Sequence, residues 1–285
     1  VDVVNVRIAA LALVLIGSVG LAAPATAAPQ APPQAVALPT VDMEAVLKAA
    51  QIDPRRADSA ITPGSGDSVL RVERALDAKN FLASTYVDGH FGTRTIDAYA
   101  AYQRSLGYTG IDASGLPGPT SLRLLGETRY SVVRPVSAGS RVTYHNALMN
   151  TRTKAMLVEA ERLLGRSLGV TQGSYNPGGV PGSAGTHDGG GALDISVSGM
   201  TATTRTAVAR VLRQVGFAAW VRTPVQGDWG YHIHAIALGD PDQSSGAQHQ
   251  SGDYYLGFNG LANRAPDDGP VVTPKRTWEE YLRFR

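Results

Sequence analysis

Three of the six histidines in this 285-residue chain stand in two short stretches that also carry acids and glycines. One stretch runs from His187 to Asp194 (HDGGGALD), the other from Gly227 to His234 (GDWGYHIH). The glycines after His187 let the backbone turn tightly, so a strand holding Asp194 can aim its carboxylate back at the imidazole. Residues i and i+2 of a strand share a face, which puts His232 and His234 on one side. Two imidazoles and a carboxylate make a three-ligand site for Zn2+ with the fourth position open to water, the catalytic rather than the structural pattern.

Elements able to position these side chains are legible around them. Met156, Ala160, Leu163 and Leu164 recur at helical spacing before Gly165, and Val208, Val211, Leu212 and Val215 do so before Gly216. Each is an amphipathic helix with a glycine stop. Short β-like runs lie between and after them, at 168–172, 192–197, 217–221 and 231–238, an order that predicts an α+β domain. The tail from Asp240 onward is rich in loop signals, yet Tyr254, Tyr255, Leu256, Phe258 and Trp278 argue that it packs onto this block.

Upstream, the periodicity predicts a small all-α unit. Asp67 can cap a helix with Val69, Val72 and Leu76 on one side, and Thr93 a second with Ile96, Tyr99, Gln103 and Leu106 inward, ended by Gly107. A third short helix fits after Pro119, with Leu122 and Leu125 inward, so 67–126 reads as three helices. Residues 28–66, opening with the Pro/Ala/Gln-rich APQAPPQAVALPT, read as a linker, and 127–143 as a connector of little period.

At the start of the chain, Arg7 precedes an apolar run from Ile8 to Leu21, followed by Ala25-Thr26-Ala27, the small residues of a signal-peptidase site. The run is shorter than the roughly 20 residues that span a bilayer. Residues 1–27 are therefore expected to be a secretory signal, leaving a protein with no stable membrane insertion after cleavage. With no cysteine, an exported chain cannot be stapled by disulfides, so its stability must come from packing, to which a bound metal could add. Lys and Arg number 26 against 24 Asp and Glu, and this net charge of +2 argues against a nucleic-acid binder. Charged residues make up 18% of the chain while Gly and Pro number 32 and 17, so the protein is expected to be loop-rich but folded.

His187-x6-Asp194 followed by His232-x-His234 resembles the LAS-type metallopeptidases, which include the zinc D-Ala-D-Ala carboxypeptidases of peptidase family M15, the hedgehog signalling domain and lysostaphin-type endopeptidases. The resemblance covers about residues 144–240. It implies a hedgehog/D,D-peptidase-like antiparallel sheet with helices, zinc held by His187, Asp194 and His234, and a metal-activated water as nucleophile. It further implies that His232 faces the substrate and stabilises the oxyanion, and that Asp228, six residues before His234, is the general base. The alternative for Asp228 is a turn residue in Gln-Gly-Asp-Trp. Gly190, Ala192 and Asp194 match the family's SxHxxGxAxD pattern, but Gly185 stands where Ser is usual, and the ExxWH pattern is absent. Asp188 is read as solvated, and Gln172, Tyr175 and Tyr231 as candidates to line the pocket.

The stretch Asp88-Gly89-His90-Phe91-Gly92-Thr93-Arg94-Thr95, with Tyr102-Gln103 and Gly118-Pro119-Thr120, resembles the peptidoglycan-binding type 1 domain and its DGxFGxxT motif. Glu73 stands where members of that family often carry Gln. His90 is read as a loop residue, and His145 and His249 as ordinary polar residues. Together the two resemblances imply a secreted, wall-directed zinc metallopeptidase: a peptidoglycan-binding domain at 67–126, then a zinc peptidase-like domain with a loop-rich extension at 144–285. Its expected reaction is hydrolysis of a peptide bond in the peptidoglycan stem or cross-link, of D,D-carboxypeptidase or endopeptidase type. The alternative is a non-catalytic wall-binding protein with a structural zinc.

Overall fold

The computed structural model describes residues 37–285. The signal segment expected at 1–27, and the first part of the linker expected at 28–66, lie outside the described residues. In chain order the elements are β1 (Thr40–Asp42), α1 (Met43–Ile52), α2 (Gly66–Asp77), α3 (Thr93–Ser105), α4 (Pro119–Gly126), β2 (Ser131–Val133), β3 (Arg141–Tyr144), β4 (Ala147–Asn150), α5 (Thr151–Leu164), β5 (Val170–Gln172), β6 (Ala192–Ser196), α6 (Ala202–Gln214), β7 (Phe217–Arg222), β8 (His232–Ala237), α7 (Ser245–Leu256) and α8 (Trp278–Phe284). This is an α+β fold. Among the described residues, no helix is long and apolar enough to cross a membrane.

The helices at 66–126 have the expected inward faces, with Val69, Val72, Leu76, Tyr99, Leu122 and Leu125 all in one core. Their starts differ by a residue or two. Ser65 precedes α2, with Asp67 inside its first turn, and Gly92 rather than Thr93 precedes α3. Leu106, expected to point inward, caps the end of α3 and is exposed.

The linker expected at 28–66 is corrected from residue 40 onward. Met43, Val46, Leu47 and Ala50 recur at i, i+3, i+4 and i+7, and α1 buries all four in the same core as α2 to α4. Asp42 caps α1 by accepting from the Ala45 N–H at 3.4 Å. The helical part therefore holds four helices. The connector expected at 127–143 is also structured: β2 pairs in parallel with β1, Thr40 opposite Ser131, and the Tyr130 hydroxyl donates to the Leu122 carbonyl at 3.1 Å.

The second part is built on a four-stranded antiparallel sheet in the order β5-β6-β8-β7. One face carries Leu193, Ile195, Phe217, Ala219, Ile233 and Ala235, packed against Met156, Leu157 and Ala160 of α5 and Val208 and Leu212 of α6. The other face carries Ala192, Ala218, Trp220 and Ile236 beneath Ala247 and Tyr254 of α7. Tyr254 meets Trp220 edge-on at 5.8 Å between ring centroids, and Trp278 packs beside the first core, so the aromatic tail does seat on this part. Helix α7 also reaches the N-terminal elements. The Gln51 amide donates to Gln243, just before that helix, at 2.8 Å, and residues 38–285 form a single compact unit.

Candidate metal centre

Antiparallel pairing of β6 with β8 sets Asp194 opposite His234 and Ser196 opposite His232. Directly opposed residues point to the same face, so Asp194, His232 and His234 converge on the α7 side of the sheet. His187 reaches them from the preceding loop. Gly190 anchors that loop by donating its N–H to the Asp242 carbonyl at 2.6 Å, in space so close that a Cβ would lie 2.7 Å from the Tyr175 hydroxyl. Gly185, where the family pattern has Ser, has φ +72°, a backbone conformation that other residues rarely adopt. The glycine is a backbone requirement of this loop.

His187, Asp194 and His234 form a group in which one ligand atom from each lies within 4.8 Å of the others. His187 Nδ1 lies 2.9 Å from the Gly173 carbonyl, which only accepts, so Nδ1 carries the proton. Its Nε2 then holds a lone pair, is buried without a hydrogen-bond partner among the described residues, and stands 3.4 Å from Asp194 Oδ1. His234 Nδ1 lies 2.8 Å from the same Oδ1, and its Nε2 lies 2.8 Å from Gln250 Oε1. A tetrahedral ion with bonds of about 2.1 Å holds its ligand atoms roughly 3.4 Å apart. The buried Nε2 of His187 and its 3.4 Å separation from Asp194 fit a divalent cation.

Electrostatics favours the ligand forms of both acid and base. Burial by itself would raise the Asp194 pKa, but the two imidazoles beside it outweigh burial and hold the carboxyl well below its ordinary range. Burial pushes the His234 pKa down, against the pull of Asp194, which favours the neutral imidazole that metals bind.

His232 stands beside the group. Its Nδ1 lies 2.8 Å from the Gly230 carbonyl and so donates there, while Nε2 comes within 3.7 Å of Asp194 Oδ1. The Trp229 ring lies edge-on to it at 6.3 Å between centroids. Asp228 sits on an exposed bend and makes no hydrogen bond or ion pair with the group among the described residues. Tyr231 is exposed, with the Arg205 guanidinium 4.5 Å above its ring. Tyr175 donates to Asp242 at 2.6 Å and so holds the loop rather than the metal group. Gln172 pairs with Asp194 across β5 and β6, with its Nε2 buried and unpartnered among the described residues. Asp188 accepts from the Gly178 N–H at 3.3 Å in an exposed contact. His90 contacts the Ala60 carbonyl and His145 contacts Glu161, away from the metal group.

Two residues of the site escape motif reading. Arg222 pairs with His232 across β7 and β8 and lays its guanidinium over Trp220, 4.7 Å from the ring centroid. Burial pushes its pKa down to about 10, and its Nη2 has no hydrogen-bond partner among the described residues. Gln250 comes from α7, and its signal was its place three residues after Ala247 and four before Tyr254, on the inward face of that helix.

No family model matches this chain. No curated protein matches it significantly either.

Proposed function

We propose that this protein is an exported zinc peptidase that hydrolyses peptide bonds in the stem or cross-link of peptidoglycan, as a D,D-carboxypeptidase or endopeptidase. One observation carries the reading: two imidazole nitrogens and a carboxylate oxygen converge at metal-ligand spacing, with His232 beside them making no claim on its own Nε2. His187 Nε2, Asp194 and His234 Nδ1 would hold the ion. Zinc in such a site supplies Lewis acidity, polarising a carbonyl and making water a better nucleophile at neutral pH.

The remaining chemistry belongs to the chain. With Nδ1–H bound to the Gly230 carbonyl, neutral His232 offers a lone pair at Nε2 and can take the proton of an attacking water. Once protonated, the same nitrogen donates to the oxyanion of the tetrahedral intermediate and can then deliver the proton to the leaving amine. Asp228 was the base implied by resemblance, and its exposed position without contact to the group favours His232 for that role.

The substrate assignment rests on the resemblance of the DGHFGTRT stretch to peptidoglycan-binding domains, which would hold the enzyme on the wall and raise its local substrate concentration. A second reading is a non-catalytic wall protein with a structural metal, and the position of Asp228 supports it. Incubation of purified sacculi with the protein, with and without chelator, tests between them. The peptidase releases new amino termini or D-Ala in the metal-loaded sample alone, and mass spectrometry of the products names the bond. Sedimentation with sacculi and no release under either condition favours the structural reading.

A further inference from the structure

Both ring nitrogens of His234 lie 2.8 Å from an oxygen, Nδ1 from Asp194 and Nε2 from Gln250, although a neutral imidazole has only one proton to give. If the proton sits on Nε2 and is donated to Gln250, a lone pair on Nδ1 faces the carboxylate oxygen, an arrangement that only a cation between them stabilises. If the amide of Gln250 is turned the other way, the proton sits on Nδ1 and the nitrogen nearest Asp194 is lost as a ligand.

We infer that Gln250 is a positioning residue of the metal centre, whose side-chain carbonyl accepts from His234 Nε2–H and so commits Nδ1 to the ion. This rests on the metal reading of the site and deepens it. His187 is committed by the same device, with the Gly173 carbonyl in place of an amide. A partner on the second ring nitrogen fixes both tautomer and ring plane, and in metal sites its loss weakens binding by 10- to 100-fold. Gln250 is itself held in place because α7 is clamped on two sides. Ala247 and Tyr254 pack on the sheet, and on the far side Asp253 accepts from Arg55 of the N-terminal elements. The metal group thus depends on a helix from the tail, beyond the stretch that carries the motif.

The test compares wild type, Gln250→Leu and Gln250→Glu, since an ionised Glu can only accept. Zinc affinity is measured by competition with a chelator of known strength, and the His234 ring is followed by 15N NMR of the zinc-loaded protein. The Leu variant is expected to bind zinc 10- to 100-fold more weakly and to lose the slowly exchanging Nε2 proton, while Glu restores both. Gln250 is only half-buried, so the metal-free variants should melt near wild type. Leu affinity within about twofold of wild type, or a Glu variant as weak as Leu, overturns the inference. A wild type that binds no zinc overturns the metal reading itself, and because it is measured first, the two failures are told apart.

Discussion

Arg55 donates from Nε and Nη2 to both carboxylate oxygens of Asp253, at 3.0 and 2.9 Å, and ties the turn after α1 to helix α7 across 198 residues of sequence. Asp253 is buried and accepts from Arg264 as well. Next to it, Gly252 packs so closely that a Cβ would lie 2.0 Å from the Gln51 carbonyl oxygen. Gly252→Ala forces the two helices apart and should destabilise the protein by about 2 kcal/mol, in line with other overpacked contacts. Arg55→Ala should cost about as much, less than a wholly unpaired buried carboxylate because Arg264 remains. Urea denaturation reads both. A fragment of residues 140–285, stripped of α1, should unfold at lower denaturant than the full chain, and equal midpoints would show the helical part to be a mere appendage.

Removal of a ligand should remove the ion. His187→Ala, Asp194→Ala and His234→Ala are each expected to drop zinc from about one per chain toward none, as measured by elemental analysis after dialysis. Zinc at about 100 times its Kd should stabilise the wild type by about 2.7 kcal/mol and leave the three variants unmoved. Full zinc in all three would exclude this group as the site.

His232 and Asp228 separate the two candidate bases. His232→Ala should keep its zinc, since the other three residues make the group, yet lower kcat by roughly 10²- to 10⁴-fold through loss of the proton acceptor. Asp228→Asn should change kcat by less than about threefold, because Asn is an equally good turn residue. A large loss in a zinc-loaded Asp228→Asn protein would return the base to the carboxylate and leave His232 as an oxyanion donor.

Glu73 predicts a pH dependence in the helical part. It is wholly buried and accepts from the N–H groups of Asp88 and Gly89, at 3.0 and 2.7 Å, and from the Thr95 hydroxyl at 3.0 Å. Burial outweighs these bonds and raises its pKa to about 7, from 4.5 in the unfolded chain. The folded state therefore holds the proton more tightly. Stability from this group is complete below pH 4.5 and is lost progressively as pH rises toward and through 7. Glu73→Gln keeps an acceptor for the two N–H groups and offers an N–H to Thr95, so it should flatten this slope and stabilise the protein at pH 8 by roughly 3 kcal/mol. Thermal melts at pH 5 and pH 8 check it. An unchanged slope in the Gln variant would remove Glu73 as its source.

What the sequence determined by itself was local. Val69, Val72 and Leu76, or Val208 and Leu212, fix a helix and its inward face because side-chain direction repeats every 3.6 residues whatever the rest of the chain does. Alternation on a strand likewise put His232 and His234 on one side, and the glycines after His187 foretold the turn that brings it in. Tertiary structure decided everything that depends on distant partners. The register that sets Asp194 opposite His234 joins residues 40 apart in sequence, and it is chosen by which face of the sheet α5 and α6 bury. Helix α1, four inward residues in a Pro- and Ala-rich neighbourhood, is stabilised by the core it enters more than by its own propensity. Gln250 looks like any polar residue of a helix until Ala247 and Tyr254 seat α7 on the sheet and leave its amide against His234. Periodicity is a property of one segment, whereas a site is a meeting of several, and only long-range packing decides which segments meet.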